Sequence, residues 1–105
     1  KYSCFTIAGS AIGVTHIHFK NWQKTFIENL STSIKFHQIN RLIVINHEDC
    51  GAAKLVNGIR EFNKNNEKKI HRESFKKLEK ILKKKFPKLY YEFYLMNLNS
   101  SIQRF

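Results

Sequence analysis

One short apolar run constrains the fold of this chain more than any other feature. Residues 41–46, RLIVIN, are rich in β-branched side chains and carry no charge after Arg41. This pattern is typical of a strand in a parallel sheet, where helices cover both faces and polar residues need not alternate with apolar ones. We therefore predict a short strand at 41–46 that is buried on both faces.

The segments on either side of this run predict strands and helices in alternation. Residues 2–8 are β-branched and aromatic up to Gly9, and apolar residues further along recur every three or four positions. The predicted elements are a strand at 2–8, a loop at 9–19, a helix at 22–38 with Asn21 as its N-cap, a helix at 51–62, a polar linker or frayed helix start at 63–69, a helix at 70–86 that Pro87 ends, and a strand at 88–98. This order favours a single α/β domain over residues 1–105, with a mainly parallel sheet flanked by helices.

The composition is that of a folded domain. The chain has 105 residues, of which 42% are hydrophobic and 13% aromatic, so it can form one modest core and is too apolar to be disordered. It contains no run of about 18 apolar residues that could span a membrane. The two cysteines, Cys4 and Cys50, provide no disulfide framework. We therefore expect a cytoplasmic protein that has no membrane partner.

The strong positive charge raises the question of a nucleic-acid partner. Lysine and arginine number 19 against 8 acidic residues, and many of the lysines lie in residues 68–88. A basic helix face can bind nucleic acid, but it is also the ordinary solvated face of an amphipathic helix. The segment lacks the organised arginine and aromatic residues that contact bases. We expect nucleic acid not to be the partner, and a basic nucleic-acid-binding module is the third interpretation.

A polar cluster follows the predicted strand at once, in residues 47–53, HEDCGAA. The carboxyl ends of parallel strands are where such folds bind ligands. His47 and Cys50 supply an imidazole and a thiol, which zinc prefers, although a catalytic zinc usually takes three protein ligands. Spacing alone leaves two alternatives open: a histidine and cysteine with a structural role, and a cysteine nucleophile with His47 as its base. The second alternative is weakened because Val56 stands where a phosphatase-type loop would need arginine.

The segment VINHEDCGAAKL, residues 44–55, resembles the second zinc motif of the β-class carbonic anhydrases, where a strand, His-x-x-Cys-Gly-Ala and a helix follow in that order. FTIAGSAIG, residues 5–13, is similar to the family's strand that ends in an Ala-Gly loop. Residues 22–46 are similar to its next helix and strand, and FPKLYYEFYLMNLNSSI, residues 86–102, resembles its closing segment. The resemblance covers nearly the whole chain and implies a β-carbonic-anhydrase-like α/β fold.

The resemblance implies a function as well as a fold. His47 and Cys50 would be zinc ligands, and Gly51, Ala8 and Gly9 would form the wall of the site. Zinc would be the cofactor, and the reaction would be the reversible hydration of carbon dioxide to bicarbonate. The protein would be a homo-oligomer. No family role carries over to the acidic residues between the two ligands.

One part of the family pattern is missing. Nothing in this sequence matches the first zinc motif, Cys-x-Asp-x-Arg, which supplies the third ligand and an Asp–Arg pair, so the sheet would lack its first strand. Cys4 does not replace it, because at ~3.3 Å per strand residue it lies more than about ten ångströms below the end of the predicted strand at 2–8. We expect an N-terminally incomplete domain, either a fragment or a degenerate family member. A non-catalytic relative that keeps the fold is the main alternative to an enzyme, and the catalytic residues stay unknown.

The other four histidines are not expected to take part in the chemistry of the site. His16 and His18 lie in the predicted loop, where exposure without a function is the expectation and proton shuttling is the alternative. His37 ends a predicted helix, where its charged form would favour the helix dipole. His71 lies on the lysine-rich helix and is expected to have no chemical role.

Overall fold

The computed structural model of the chain describes residues 2–58 and 63–105. Its elements in chain order are α1 (Ala11–Thr15), a 3-10 turn (Ile17–Phe19), α2 (Lys20–His37), β1 (Arg41–His47), α3 (Gly51–Asn57), α4 (Lys64–Lys85), β2 (Tyr90–Met96) and β3 (Ile102–Arg104). The predicted α/β class is confirmed. Part of the helix predicted at 51–62 falls on residues 59–62 and so lies outside the described residues.

The sheet has the strand order β1–β2–β3. β1 and β2 are parallel, in a register that runs from Arg41 opposite Tyr90 to His47 opposite Met96. β3 is antiparallel to the end of β2 and pairs Ile102 with Met96. The sheet is therefore mixed: its longer pairing, between β1 and β2, is parallel, and its shorter pairing, with β3, is antiparallel. The sequence analysis did not predict β3, because a strand of three residues is too short to show a hydrophobic period.

The described helices pack on one face of the sheet. The main core comprises Ala11, Val14, Phe26, Leu30, Val44, Phe75, Leu78, Leu82, Leu89 and Phe93. On the opposite face, Ile43 and Ile45 of β1 are 52% and 42% exposed. The prediction that β1 is buried on both faces is therefore wrong for the part of the chain that the structure describes, because its helices cover only the inner face.

Residues 2–8 do not form the predicted strand. β-branched and aromatic residues form a strand only where a neighbouring strand takes up their backbone hydrogen bonds, and the described sheet contains no strand beside them. Ile7 packs against the core instead, and the rings of Phe5 and Phe26 lie 6.1 Å apart between centroids. The loop predicted at 9–19 contains α1 and the 3-10 turn.

The longest helix, α4, includes most of the segment 63–69, for which the sequence left a linker and a helix start as alternatives. The side chain of Asn63 accepts a hydrogen bond from the backbone N–H of Asn66 at 2.9 Å, and this N-cap starts the helix at Lys64. The polar residues 64–69 are thus its first turns rather than a linker. The helix ends at Lys85, just before Pro87, as predicted. Neither α4 nor any other described helix is long and apolar enough to cross a membrane.

Candidate functional site

Residues 47–50, here named the 47–50 loop, turn the chain sharply from β1 into α3. Asp49 has a φ of 55°, a left-handed conformation that short polar side chains tolerate better than most. Cys50 is the N-cap of α3, and its carbonyl accepts a hydrogen bond from the backbone N–H of Lys54 at 3.0 Å. The carboxylate of Asp49 pairs with the ammonium group of Lys54. His47 and Cys50 therefore flank a tight turn at the carboxyl end of β1.

His47 is exposed at the end of the outer sheet face. Its Nδ1 atom lies 2.9 Å from the carbonyl oxygen of Glu48. Because a carbonyl oxygen can only accept, Nδ1 carries the proton and donates it. In the neutral ring the lone pair is then on Nε2. Metal-bound histidines make this kind of backbone contact, which selects the tautomer that binds through the other nitrogen.

Cys50 is 1% exposed and packs with Ile12 of α1 and Ala53 of α3. Of the three residues predicted to form the wall of the site, Gly9 lies next to this cluster. A Cβ atom added to Gly9 would lie 2.9 Å from the Cβ atom of Ala52, and the φ of Gly9 is +77°. Glycine therefore allows the turn before α1 to approach the first turn of α3 closely.

The other two predicted wall residues differ from Gly9. Ala8 is exposed, and its carbonyl oxygen would lie 2.1 Å from a Cβ atom added to Gly13, so glycine at 13 lets the N-terminal segment cross α1. A Cβ atom added to Gly51 would meet nothing within 4 Å in the described part of the chain. The structure thus brings Gly9 into contact with α3 and gives no packing reason for glycine at 51.

A buried polar network lies beneath the 47–50 loop. Asn46 of β1 is 1% exposed, and its Oδ1 accepts a hydrogen bond from the backbone N–H of Ala11 at 3.0 Å. Its Nδ2 donates to Nδ1 of His71 at 2.9 Å and to the hydroxyl of Ser74 at 3.2 Å. The Ser74 hydroxyl in turn donates to the carbonyl of His71 at 2.7 Å. Asn46 thereby joins β1 to α1 and α4.

The network continues through His71 to the loop. Since Asn46 donates to Nδ1, His71 carries its proton on Nε2, which lies 3.4 Å from Oε1 of Glu67. The same oxygen of Glu67 accepts a hydrogen bond from the backbone N–H of Asp49. Both Glu67 and His71 are buried. A carboxylate on α4 thus holds the central residue of the turn.

The electrostatics of His71 agree with this hydrogen-bond pattern. Burial lowers the pKa of His71, while the hydrogen bond and the charge of Glu67 oppose that change. The charges of His47 and Glu48 act in smaller, opposite directions. The neutral ring that the Asn46 contact requires is therefore the form that burial favours. The sequence analysis gave His71 no role, whereas the structure places it at the centre of the network.

Glu48 fastens the loop from the β2 side. Its backbone N–H donates to the carbonyl of Met96 at 2.9 Å, and its carboxylate accepts a hydrogen bond from the backbone N–H of Leu98 at 3.0 Å. A cavity of about 440 Å³ adjoins this contact, lined by Glu48, Glu67, Lys68, Leu95, Asn97, Leu98, Asn99 and Gln103. The loop therefore borders a cavity at the carboxyl end of β2.

The donor set for zinc is incomplete within residues 2–58 and 63–105. In these ranges no group of three or more His, Cys, Asp or Glu side chains could hold a metal ion. His47 and Cys50 fit zinc in donor type, and His47 also fits in tautomer, but a zinc site needs at least three protein ligands. Cys4 is exposed and belongs to no such group.

Two of the remaining histidines form a local cap. Nδ1 of His16 accepts a hydrogen bond from the backbone N–H of His18 at 3.2 Å, at the start of the 3-10 turn. Burial lowers the pKa of His16, and the charges of His18 and Lys77 lower it further. His37 is the last residue of α2, as predicted.

Sequence reasoning missed Asn46, Glu67, His71 and Ser74. A signal for the last three exists in their spacing of four and three residues, which places them on one helix face together with buried Leu78. For Asn46 the signal is strand alternation, because it lies two residues after Val44, a buried core residue.

Comparisons with known proteins give relatives without an assigned activity. An uncharacterized protein from Rickettsia bellii is 30% identical over 100 residues, which cover 94% of this chain and 61% of that relative. An uncharacterized protein from Rickettsia conorii is 26% identical over 100 residues, which cover 94% of this chain and 54% of that relative. The chain thus spans little more than half the length of these curated relatives. No family model and no solved structure matches the chain.

Proposed function

We propose that this chain belongs to a zinc protein of the β-carbonic-anhydrase type, in which His47 and Cys50 are two of the metal ligands. The reaction would be the reversible hydration of carbon dioxide to bicarbonate, with the missing ligand supplied from outside the described residues. The observation that carries the proposal is the geometry of His47, whose Nδ1 donates to a backbone carbonyl at the carboxyl end of a parallel strand. The comparisons name neither an activity nor a metal, so the proposal rests on the loop and on the resemblance of its sequence.

The residues of the loop would have separate tasks. The hydrogen bond from His47 to the carbonyl of Glu48 orients the imidazole and leaves Nε2 for the metal. Cys50 would contribute its sulfur from an apolar position between Ile12 and Ala53. Bound zinc lowers the pKa of a coordinated water to about 7 and so supplies a nucleophile at neutral pH.

Zinc content is the first test. It should be measured on the purified full-length protein, with any sequence that the gene encodes beyond residues 1–105, and we expect about one zinc per chain. The variants His47→Ala and Cys50→Ser should each lose most of the metal. Cys4→Ser and His37→Ala remove the same chemical groups from exposed positions and should keep it. Absence of zinc from the wild type, or equal zinc in Cys50→Ser, would refute the proposal.

Carbon dioxide hydration separates an enzyme from a non-catalytic relative. Stopped-flow measurement on the zinc-loaded protein should show hydration above the buffer rate, and this excess should disappear in Cys50→Ser. Bound zinc without hydration would favour a relative that keeps the fold and the metal but not the reaction. If neither is found, and the protein binds nucleic acid with an affinity that falls steeply with salt, the basic-module interpretation becomes the better one.

Self-association is part of the proposed function, because the resemblance implies an oligomer. The outer sheet face supports it, since Ile43, Ile45 and Ile102 are exposed there and exposed apolar patches mark interaction surfaces. Light scattering should give a mass above that of one chain. The substitution Ile45→Lys should lower that mass, and a monomeric wild type would contradict the expectation.

A further inference from the structure

We infer that Glu67 is a positioning residue for the 47–50 loop, held in place by His71 and, through it, by Asn46. Glu67 would thereby fix the positions of His47 and Cys50, and in this respect the inference rests on the proposed function. Its geometric basis does not involve metal. One carboxylate oxygen of Glu67 accepts hydrogen bonds from both the Nε2–H of His71 and the backbone N–H of Asp49.

Glu48 fastens the turn from the β2 side, and Glu67 supports it from the α4 side, at Asp49. Asp49 holds a positive φ of 55°, which is unfavourable for a residue with a Cβ atom. Its ion pair with Lys54 lies at the surface, with the Asp49 side chain 56% exposed, and ion pairs at such positions contribute little. The hydrogen bond from the backbone N–H of Asp49 to Glu67 supports the turn from the α4 side, and its acceptor belongs to a buried side chain, where a hydrogen bond is stronger than in water.

The direction of each hydrogen bond determines what residue 67 must do. Asn46 donates to Nδ1 of His71, so the single proton of the neutral imidazole is on Nε2 and faces Glu67. The Ser74 hydroxyl donates to the backbone carbonyl of His71. A side chain at 67 that cannot accept would leave two N–H groups without a partner, one on His71 and one on Asp49. Because a single oxygen receives both, glutamine can preserve both contacts and alanine cannot.

The accessibility of Cys50 provides a readout that needs no metal. In a Cys4→Ser background, Cys50 is the one thiol left in residues 1–105. Its alkylation rate under native conditions, followed by mass spectrometry of the peptide that contains it, reports opening of the loop. We expect Glu67→Ala to raise this rate by about tenfold or more, because a buried acceptor is lost. The rate should depend weakly on low urea concentrations, since opening a loop exposes little surface.

Two matched variants make the test specific. Glu67→Gln keeps the accepting oxygen and should alkylate within about threefold of the parent, as expected for preserved hydrogen bonds. Glu73→Ala removes a carboxylate from the exposed side of the same helix and should leave the rate unchanged. If Glu67→Ala does not fold, Glu67→Asp replaces it, because it withdraws the carboxylate by one methylene; an increased rate is expected there as well.

Three results would overturn the inference. The first is a parental rate in Glu67→Ala or, in its place, Glu67→Asp. The second is a Glu67→Gln rate as high as that of the non-accepting variant, because the acceptor would then be irrelevant. The third is an increased rate that follows global unfolding in urea, because Glu67 would then support the whole fold rather than the loop.

Zinc affinity in the same variants separates this inference from the proposed function. With zinc bound by the parent, Glu67→Ala should weaken the affinity by about 10- to 100-fold, and Glu67→Gln should restore it. If the parent binds no zinc but the alkylation rates follow the expected order, the metal proposal fails and the positioning role stands. If the parent and Glu67→Ala bind zinc equally and alkylate equally, the positioning role fails and the metal proposal stands.

Discussion

Replacing Asn46 with alanine tests the interior of this fold directly. The amide makes hydrogen bonds of 2.9 to 3.2 Å to the N–H of Ala11, to His71 and to Ser74. In Asn46→Ala, the Ala11 N–H loses its acceptor and Nδ1 of His71 loses its donor, whereas Ser74 keeps its bond to the His71 carbonyl. A buried polar group without a partner costs about 1–3 kcal/mol, so two of them cost about 2–6 kcal/mol. Water that enters the vacated space would recover part of this cost.

Urea unfolding followed by circular dichroism measures the effect. A domain of this kind has a free energy of unfolding of about 5–15 kcal/mol, so Asn46→Ala should lose a large share of its stability, and its melting temperature should fall by about 10 °C or more. Asn21→Ala changes an exposed asparagine and should alter the stability by no more than about 0.5 kcal/mol. A loss below about 1 kcal/mol in Asn46→Ala, with an unchanged urea slope, would refute the network, because buried partners cannot be released at so small a cost.

Three further predictions concern single positions. Burial lowers the pKa of His71, so the unfolded chain binds more protons than the folded protein below about pH 6.5. Urea titrations should therefore show that the free energy of unfolding falls as the pH drops below that value. The fall should be smaller in His71→Gln. Gly13→Ala should be strongly destabilising, since its Cβ atom would lie 2.1 Å from the carbonyl oxygen of Ala8, whereas Gly51→Ala should be tolerated; equal melting temperatures of the two variants would contradict this. Because Asp49 has a positive φ, Asp49→Val should lose about 1–2 kcal/mol relative to Asp49→Gly, and equal urea midpoints would show that the turn is not left-handed.

The sequence predicted those elements that contain their own pattern. β1, α2 and α4 were found close to their predicted positions because each carries an apolar run or a helical period of its own. The segment 2–8 has the composition of a strand but lies outside the described sheet, because strand formation also depends on a neighbouring strand. The burial of β1 was overestimated for a related reason: an apolar strand does not reveal how many helices cover it.

The candidate site could be predicted in position but not in its supporting contacts. Residues 47–50 follow β1 and precede α3, as the sequence indicated. Glu67 and His71, in contrast, are separated from the loop by more than fifteen residues of sequence and sit among lysines that dominate the helix. Their role depends on how α4 crosses the end of β1, and this is a property of tertiary packing that local patterns do not encode.

The placement of the polar network along α4 argues that it serves the loop rather than the helix. Further along α4, Phe75, Leu78 and Leu82 belong to the apolar core, which shows how the helix packs where only stability is required. Apolar side chains at 67 and 71 would avoid the cost of removing a carboxylate and an imidazole from water. These two polar residues lie in the part of α4 where Glu67 contacts Asp49, so their position follows the turn between His47 and Cys50.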